Sequence, residues 1–252
     1  MIKVLLIQSK VCESKAKALE YFQKIVNNPQ FDNFDIVCFP ELWYPNVVND
    51  FEKEFAIILD TAKQKTIFMI PGAFLERIDG EICVSCPIIS KKGKIIGRQL
   101  KIHPFGIQRK DVKPGIKAEV FNLGKFKLGV VICYDAVFPE VSRVLTTKGA
   151  DVLFFPSKIK TEGVGPWHIY LQARALENRI PVVAPNVCTG PFGGRSIIVD
   201  FSYNKRNDIA LPRPRVLSEN QQVLAANIDI IQARNIRRER FKDFRQDLYP
   251  SL

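Results

Sequence analysis

Short apolar runs rich in Val, Ile and Phe, punctuated by Gly, Pro and Asn, recur along the chain. They fall at 2–8, 35–39, 66–74, 82–89, 94–100, 118–123, 126–133, 152–155, 181–187, 196–201 and 223–228. Their length and β-branched content predict strands. Helical spacing falls between some of them. Leu19, Phe22 and Val26 share a face after a capping Ser14, and Phe51, Phe55, Ile58 and Ala62 share another. A third helix is expected over 139–148, with Pro139 in its first turn and Gly149 just past its end, the favoured placement of those two residues. Pro166 opens a helix to Asn178, and a last one is expected over 230–244. Strands and helices alternate at both ends of the chain, with a run of strands between. This order predicts sheets covered by helices in a layered α/β arrangement. No low-complexity stretch or long linker intervenes, so one domain is expected over residues 1–252.

An internal echo sharpens the layering. DIVCFPE (35–41) and DVLFFPS (151–157) each carry an acid, an apolar strand and a Pro at the strand end, and each follows a helical segment. Two related halves packed together would produce such an echo, as would chance likeness of two buried strands.

Composition narrows the classes. The chain has 252 residues, of which 46% are hydrophobic and 25% charged, with eighteen Phe; a chain of this kind folds around a core and is not disordered. No apolar run approaches the roughly 20 residues that span a bilayer, and MIKVLLIQSK reads as a strand without a cleavage site. Six cysteines, several inside apolar strands, suit free thiols in a reducing compartment. A soluble, cytoplasmic protein without a membrane partner is expected. The formal charge is +11, concentrated between Lys91 and Lys127, where eleven Lys and Arg face two acids. Solvated loops account for such a stretch; an anionic substrate or nucleic acid would also suit it. No nucleic-acid recognition motif accompanies it, so none is expected as partner.

The segment KLGVVICYDAVFPE (127–140) holds the most chemistry. A thiol at Cys133 would sit where an apolar strand bends towards a helix, near backbone N–H groups and cations that favour thiolate. A Cys ending an apolar strand otherwise serves as a small core hydrophobe. The two histidines, His103 and His168, leave a Cys–His hydrolase open without selecting it. CVSC (83–86) is one pair in an extended strand, whose thiols would face opposite sides; no zinc site is expected. Glu41, closing DIVCFPE, and Lys101, after another strand, offer a carboxylate and an ammonium. Thiol, carboxylate and ammonium together would suffice for amide chemistry.

FPELW, GRQLKIHPFG and GVVICYDAVFPE, in that order, resemble the three signature segments of the nitrilase superfamily of carbon–nitrogen hydrolases. GPWHIYLQARALENRIPVVAPN, GGRSIIVD and the closing NIDIIQARNIRRERFKDFRQDLY extend the resemblance over nearly the whole chain. The resemblance implies a four-layer α-β-β-α sandwich and a Glu–Lys–Cys triad without metal or cofactor. Glu41 would be the general base and acid, Lys101 the cation that stabilises the oxyanion and Cys133 the nucleophile. The Tyr134 N–H would be the second oxyanion donor. Trp43, Phe105, Gln108, Trp167 and His168 are candidates for the substrate pocket. The implied activity is cleavage of a small amide through a thioester, in the amidase or omega-amidase-like branch. A carbamoyl-amide hydrolase or a nitrilase would use the same triad.

Two positions depart from the pattern. Many members carry a second Glu seven residues after the Lys; here that position is Gln108, which keeps the shape and loses the charge. That loss leaves a non-enzymatic reading open, a binding or regulatory protein using the basic 91–127 surface. After IIVD, a short turn is replaced by FSYNKRNDIALPRPRV, expected to alter an edge or an assembly contact. The family's pairing through the helix after the nucleophile and the C-terminal segment implies at least a homodimer. In the tail, Ile236, Phe241, Phe244 and Tyr249 are the apolar residues expected to serve it.

Overall fold

A computed structural model of the protein describes residues 1–204, 206–207, 209–220 and 222–248, without the side chains of Gln30 and Gln246. The strands are β1 (Ile2–Gln8), β2 (Ile36–Cys38), β3 (Phe68–Ile70), β4 (Phe74–Ile78), β5 (Glu81–Ile89), β6 (Ile95–Leu100), β7 (Val120–Asn122), β8 (Lys127–Val130), β9 (Val152–Phe154), β10 (Val182–Ala184), β11 (Ile197–Asn204), β12 (Ile209–Val216) and β13 (Gln222–Ile228). The helices are α1 (Lys15–Val26), α2 (Phe51–Glu54), α3 (Ala56–Gln64), α4 (Gln108–Asp111), α5 (Pro139–Thr147), α6 (Val164–Asn178) and α7 (Ile230–Phe241).

The strands form two sheets. One runs β13-β1-β2-β3-β5-β4, with β6 also on β5, and the other β12-β11-β10-β9-β8-β7. Alternation along the central strands sorts their side chains into three apolar layers. Val4, Leu6, Ile36 and Ile70 meet Leu128, Val130, Phe154 and Val183 between the sheets. Leu5, Ile7, Val37 and Met69 point the other way, onto Phe22 of α1 and Ile58 and Ala62 of α3. Leu153, Val182 and Ile197 face Leu145 of α5 and Leu171 and Ala175 of α6. The result is the expected α-β-β-α sandwich.

The echo is a structural repeat. β2 and β9 each occupy the middle of a parallel trio, β1-β2-β3 and β8-β9-β10. Asp35 N–H donates to Lys3 O and the Asp35 carboxylate accepts from Lys3 N–H. Asp151 and Lys127 make the same reciprocal pair in the second half. The two acids therefore set the register of equivalent strands.

Several boundaries differ from the expected ones. The run at 66–74 divides into β3 and the start of β4, because Pro71–Gly72 leaves the ladder; Gly72 has φ +99, and a Cβ there would lie 2.1 Å from Pro40 O. The run at 126–133 stops pairing at Val130, and Cys133 opens a 3₁₀ turn, Cys133–Val137, with φ +49. The unusual segment after IIVD, apart from Lys205 and Asp208, which lie outside the described residues, completes β11 and forms the edge strand β12. Pro212 and Pro214 lack an N–H and Arg213 and Arg215 carry charge, which blunts pairing at that edge.

The tail also departs from expectation. Ile236 is buried in the layer against α5 and α6, while Phe241 and Phe244 lie half-buried with the Arg143 guanidinium 5.4 Å from each ring. Tyr249 lies outside the described residues. Among the described residues, no helix is long and apolar enough to cross a membrane.

Candidate active site

Three chain segments leaving the inner ends of the strands converge on one cavity of about 450 Å³. Glu41 follows β2, Lys101 follows β6 and Cys133 follows β8. Glu41 N–H donates to Ser157 O at 3.3 Å, which ties the first half to the equivalent turn of the second. Lys101 is fixed on both sides, its N–H bonded to Val84 O and its carbonyl to Gly115 N–H. Gly115 must be small there, since a Cβ would lie 2.7 Å from Leu100 O. The left-handed backbone at Cys133 turns the chain sharply out of the sheet. For a non-glycine residue this conformation is strained and costs about 1–3 kcal/mol. Cys133 N–H donates to Pro156 O and so holds the turn.

Lys101 Nζ lies 2.7 Å from Glu41 Oε1, with both side chains almost wholly buried, and 3.1 Å from Gln108 Oε1. The Cys133 thiol faces the same cavity as Glu41, Lys101 and Lys158. Burial pushes the Cys133 thiol up to about 12, and the Glu41 carboxylate adds to the rise against the opposing pull of Lys101. Desolvation thus outweighs the cation, and the thiol is raised rather than lowered. Burial alone would lower Lys101, but Glu41 and Cys133 outweigh it and hold the ammonium above its ordinary value. The buried Lys101–Glu41 pair thus stands beside a thiol that burial raises.

Asp135, two residues after the thiol, is buried and accepts from the N–H groups of Ile102 and His103 and from His103 Nδ1. It thereby pins the segment that follows Lys101 to the nucleophile turn. The sequence reading missed this role, although an acid inside a strand-to-helix bend was its visible signal. Tyr134 lies in the first turn of the 3₁₀ segment, where N–H groups have no partner within the helix.

The cavity takes in Phe105, Gln108, Tyr134 and Trp167 from the expected set. It does not take in Trp43 or His168. Leu42 has φ +46, so the chain reverses after Glu41; Leu42 lines the cavity while Trp43 is buried among Phe39, Phe55 and Phe74, its Nε1–H donating to Pro71 O. Aromatic burial on the far face of the sheet decides its place. His168 follows Trp167 on α6 and turns away to Arg195 O at 2.8 Å. His103 stacks on Phe138 and bonds Asp135. Neither histidine lines the cavity, which leaves a Cys–His pair without geometry.

Lys158, Tyr170 and Phe192 also line it, unexpectedly. The echo could have located Lys158, since it stands one residue after DVLFFPS as Leu42 stands after DIVCFPE.

An αββα sandwich with a carboxylate, an ammonium and a thiol gathered at its strand ends defines a hydrolase class built around a cysteine. Residues 6–205 match the carbon-nitrogen hydrolase family model. The chain belongs to this family and is an enzyme of the nitrilase superfamily acting on carbon–nitrogen bonds other than peptide bonds. It is 31% identical over 236 residues to a 2-oxoglutaramate amidase of Bacillus subtilis (strain 168), covering 85% of this chain and 86% of that protein. Its fold matches a Saccharomyces cerevisiae member of branch 10 of the nitrilase superfamily, with a TM-score of 0.79 at 22% identity over 97% and 96% of the two chains. It also matches a mutant amidase of Nesterenkonia sp. AN1, with a TM-score of 0.80 at 17% identity over 99% and 95%. That amidase carries the acetamide moiety of fluoroacetamide covalently on its active-site cysteine.

Proposed function

We propose that the protein hydrolyses a small aliphatic amide through a thioester on Cys133, with Glu41 and Lys101 completing the triad. The observation that carries this reading is the buried Lys101–Glu41 pair at 2.7 Å, opening onto the same cavity as the Cys133 thiol. A neutral thiol needs a base in the same cavity, and Glu41 is that base. Glu41 takes the S–H proton as sulfur attacks the amide carbon. Lys101 Nζ and the Tyr134 N–H hold the oxyanion that forms. Glu41 then delivers its proton to the leaving nitrogen, the C–N bond breaks, and ammonia or an amine departs from the thioester. A water gives a proton to Glu41 and attacks the acyl carbon. Sulfur leaves, recovers the proton, and the acid is released.

Phe105, Trp167 and Tyr170 supply apolar walls to this site. Free cysteines suit a reducing cytoplasmic setting. For assembly, the reading is a homodimer through α6, where Ile169 and Leu176, seven residues apart on one face, are exposed.

The test is a panel of small amides, carbamoyl compounds and nitriles, read by ammonia release and intact mass. Amides should be turned over with a trapped acyl adduct on Cys133, and Cys133→Ala should lose at least about 10³-fold in rate while retaining its melting temperature. Ammonia release by Cys133→Ala at the native rate would remove the thioester route. Turnover of nitriles or carbamoyl compounds in place of amides would reassign the substrate while keeping the triad.

A further inference from the structure

The segment that leaves β9 carries the backbones of two of the three reacting groups. Pro156 O accepts from the Cys133 N–H at 3.0 Å, and Ser157 O accepts from the Glu41 N–H at 3.3 Å. Glu41 follows β2 of the first sheet and Cys133 follows β8 of the second. Two adjacent carbonyls therefore tie the nucleophile turn to its base across the gap between the sheets. Whatever holds residues 156–159 sets how sulfur and carboxylate stand to each other.

The start of that segment is held by backbone rungs. The N–H groups of Leu153, Phe155 and Ser157 donate in turn to the carbonyls of Pro181, Val183 and Pro185. In a parallel ladder the next donor, Ile159 N–H, would reach Val187 O. Val187 O is instead taken by the Gly194 N–H, and Ile159 N–H donates to the side-chain Oδ1 of Asn186 at 2.7 Å. Asn186 Nδ2 donates back to Ile159 O at 3.3 Å and to Gly194 O at 2.8 Å. An amide side chain can accept from the N–H and donate to the C=O of one residue, as a strand partner does. Asn186 thus supplies the last rung from a side chain, which lets the chain leave the sheet while still gripping it. Asn186 is fully buried, and its oxygen and both of its N–H donors have partners. A buried amide satisfied in this way has one orientation available.

We propose that Asn186 is a positioning residue of the reaction, its side chain pinning residues 156–159 and so fixing the Cys133 turn against Glu41. The proposal rests on the amidase reading given above. Asn186 does not line the cavity; it acts through the carbonyls of Pro156 and Ser157. The step it serves is the passage of the thiol proton to Glu41, which weakens steeply as the two groups are displaced.

Two measurements separate this proposal from the amidase reading itself. The first is turnover of the amide that the native enzyme cleaves fastest, by native enzyme, Asn186→Leu, Asn186→Asp and Ser196→Ala, each checked by its melting temperature. Asn186→Leu keeps the volume and loses all three bonds. Its kcat should fall about 10- to 100-fold, with KM within about twofold of native. Asn186→Asp keeps an acceptor for the Ile159 N–H and should fall between the two; it carries the test should Asn186→Leu not fold. Ser196 Oγ accepts from the backbone N–H of Asn186 at 2.9 Å, so Ser196→Ala loosens the same strand end and leaves the side-chain rung intact. It should melt lower with kcat unchanged. A native kcat in Asn186→Leu, or an equal loss in Ser196→Ala, would overturn the proposal.

The second measurement needs no turnover. Iodoacetamide alkylates Cys133 as the S–C bond forms, iodide leaves and the thiol proton passes to Glu41; peptide mass reads the rate from pH 6 to 9. The native rate should be nearly flat, because the carboxylate takes the proton during attack. In Asn186→Leu the proton must be lost to solvent first, so the rate should fall by about tenfold or more at pH 7 and climb about tenfold per pH unit. A loss of stability alone creates no such slope. A flat profile retained in Asn186→Leu would overturn the positioning role, and a native profile that already climbs would remove Glu41 as the base and the proposal with it. Amide turnover with native kcat and alkylation in Asn186→Leu would leave the amidase reading standing without this role. The altered profile in a protein that turns over no amide would do the reverse.

Discussion

The Cys133 thiol, held near 12 by burial and by Glu41, sets the chemistry at the scale of single residues. A free thiol near 8.5 would add an ascending limb to the rate as pH rises through that value. Here the proton leaves the sulfur only during attack, so kcat/KM for a neutral amide should show no rise between about pH 8 and 9. A profile measured from pH 6 to 10 checks this, and a tenfold rise centred on the ordinary thiol value would contradict it. Gln108 is the second telling residue. Its Oε1 accepts from Lys101 at 3.1 Å and from Phe105 N–H at 3.3 Å, so it holds both the cation and one wall of the cavity. Gln108→Glu would raise Lys101 further and put negative charge beside the substrate. The ratio of kcat/KM for anionic over neutral amides should fall by about tenfold, and a ratio unchanged across a matched pair would show the position to be incidental.

Among the elements, the repeated Asp–Lys clasp joins strand register to helix docking. Asp151 bonds Lys127 N–H and also takes Arg234 at 2.6 Å and Arg237 at 3.5 Å, which fastens α7 to the base of β9. Its echo Asp35 clasps Lys3 but is more exposed, with only Lys91 at 4.0 Å. Removing the buried carboxylate leaves Arg237 without a counter-charge, so Asp151→Asn should cost about 3 kcal/mol. Asp35→Asn should cost about 1 kcal/mol or less. Urea titrations of the two variants give the comparison. Burial alone would raise the Asp151 carboxyl, but Arg234 and the Lys127 N–H outweigh it and hold the group below the ordinary aspartate value. The stability it supplies is therefore present above the unfolded value of about 3.9 and lost as pH falls through the lower folded one. The gap between native and Asp151→Asn should shrink in that acid window.

At the scale of the molecule, the sandwich covers the apolar faces of both sheets yet leaves Ile169 and Leu176 of α6 in solvent. β12, packed near the same helix, exposes Leu211 as well. A C₂ pairing across α6 would cover Ile169 and Leu176 twice over. Sedimentation at micromolar concentration should give a dimer, and Ile169→Lys with Leu176→Asp should shift it to monomer without loss of helix content. A native monomer under those conditions would refute the pairing.

Hydrophobic alternation and punctuation made the layers legible, because apolar side chains at a spacing of two or 3.6 have few ways to leave water. The motif order likewise made Glu41, Lys101 and Cys133 legible as a set, and their convergence at one cavity follows from the ends of β2 and β8 in the parallel trios and of the antiparallel β6. Other features were decided only by packing in three dimensions. Left-handed turns at Leu42 and Cys133 sent Trp43 into the core and raised the thiol into the cavity, and neither residue type announces such a backbone. Ile236 read as a surface contact and became core, since helix docking chooses which face of a weakly patterned helix is covered. Lys158 was one basic residue among many until the fold set it beside Cys133 and Phe192. The thiol's protonation depended on desolvation, a property of the closed site that no string of residues carries. Local sequence thus determined which elements form and which groups are available, while tertiary structure decided which of them lose water together.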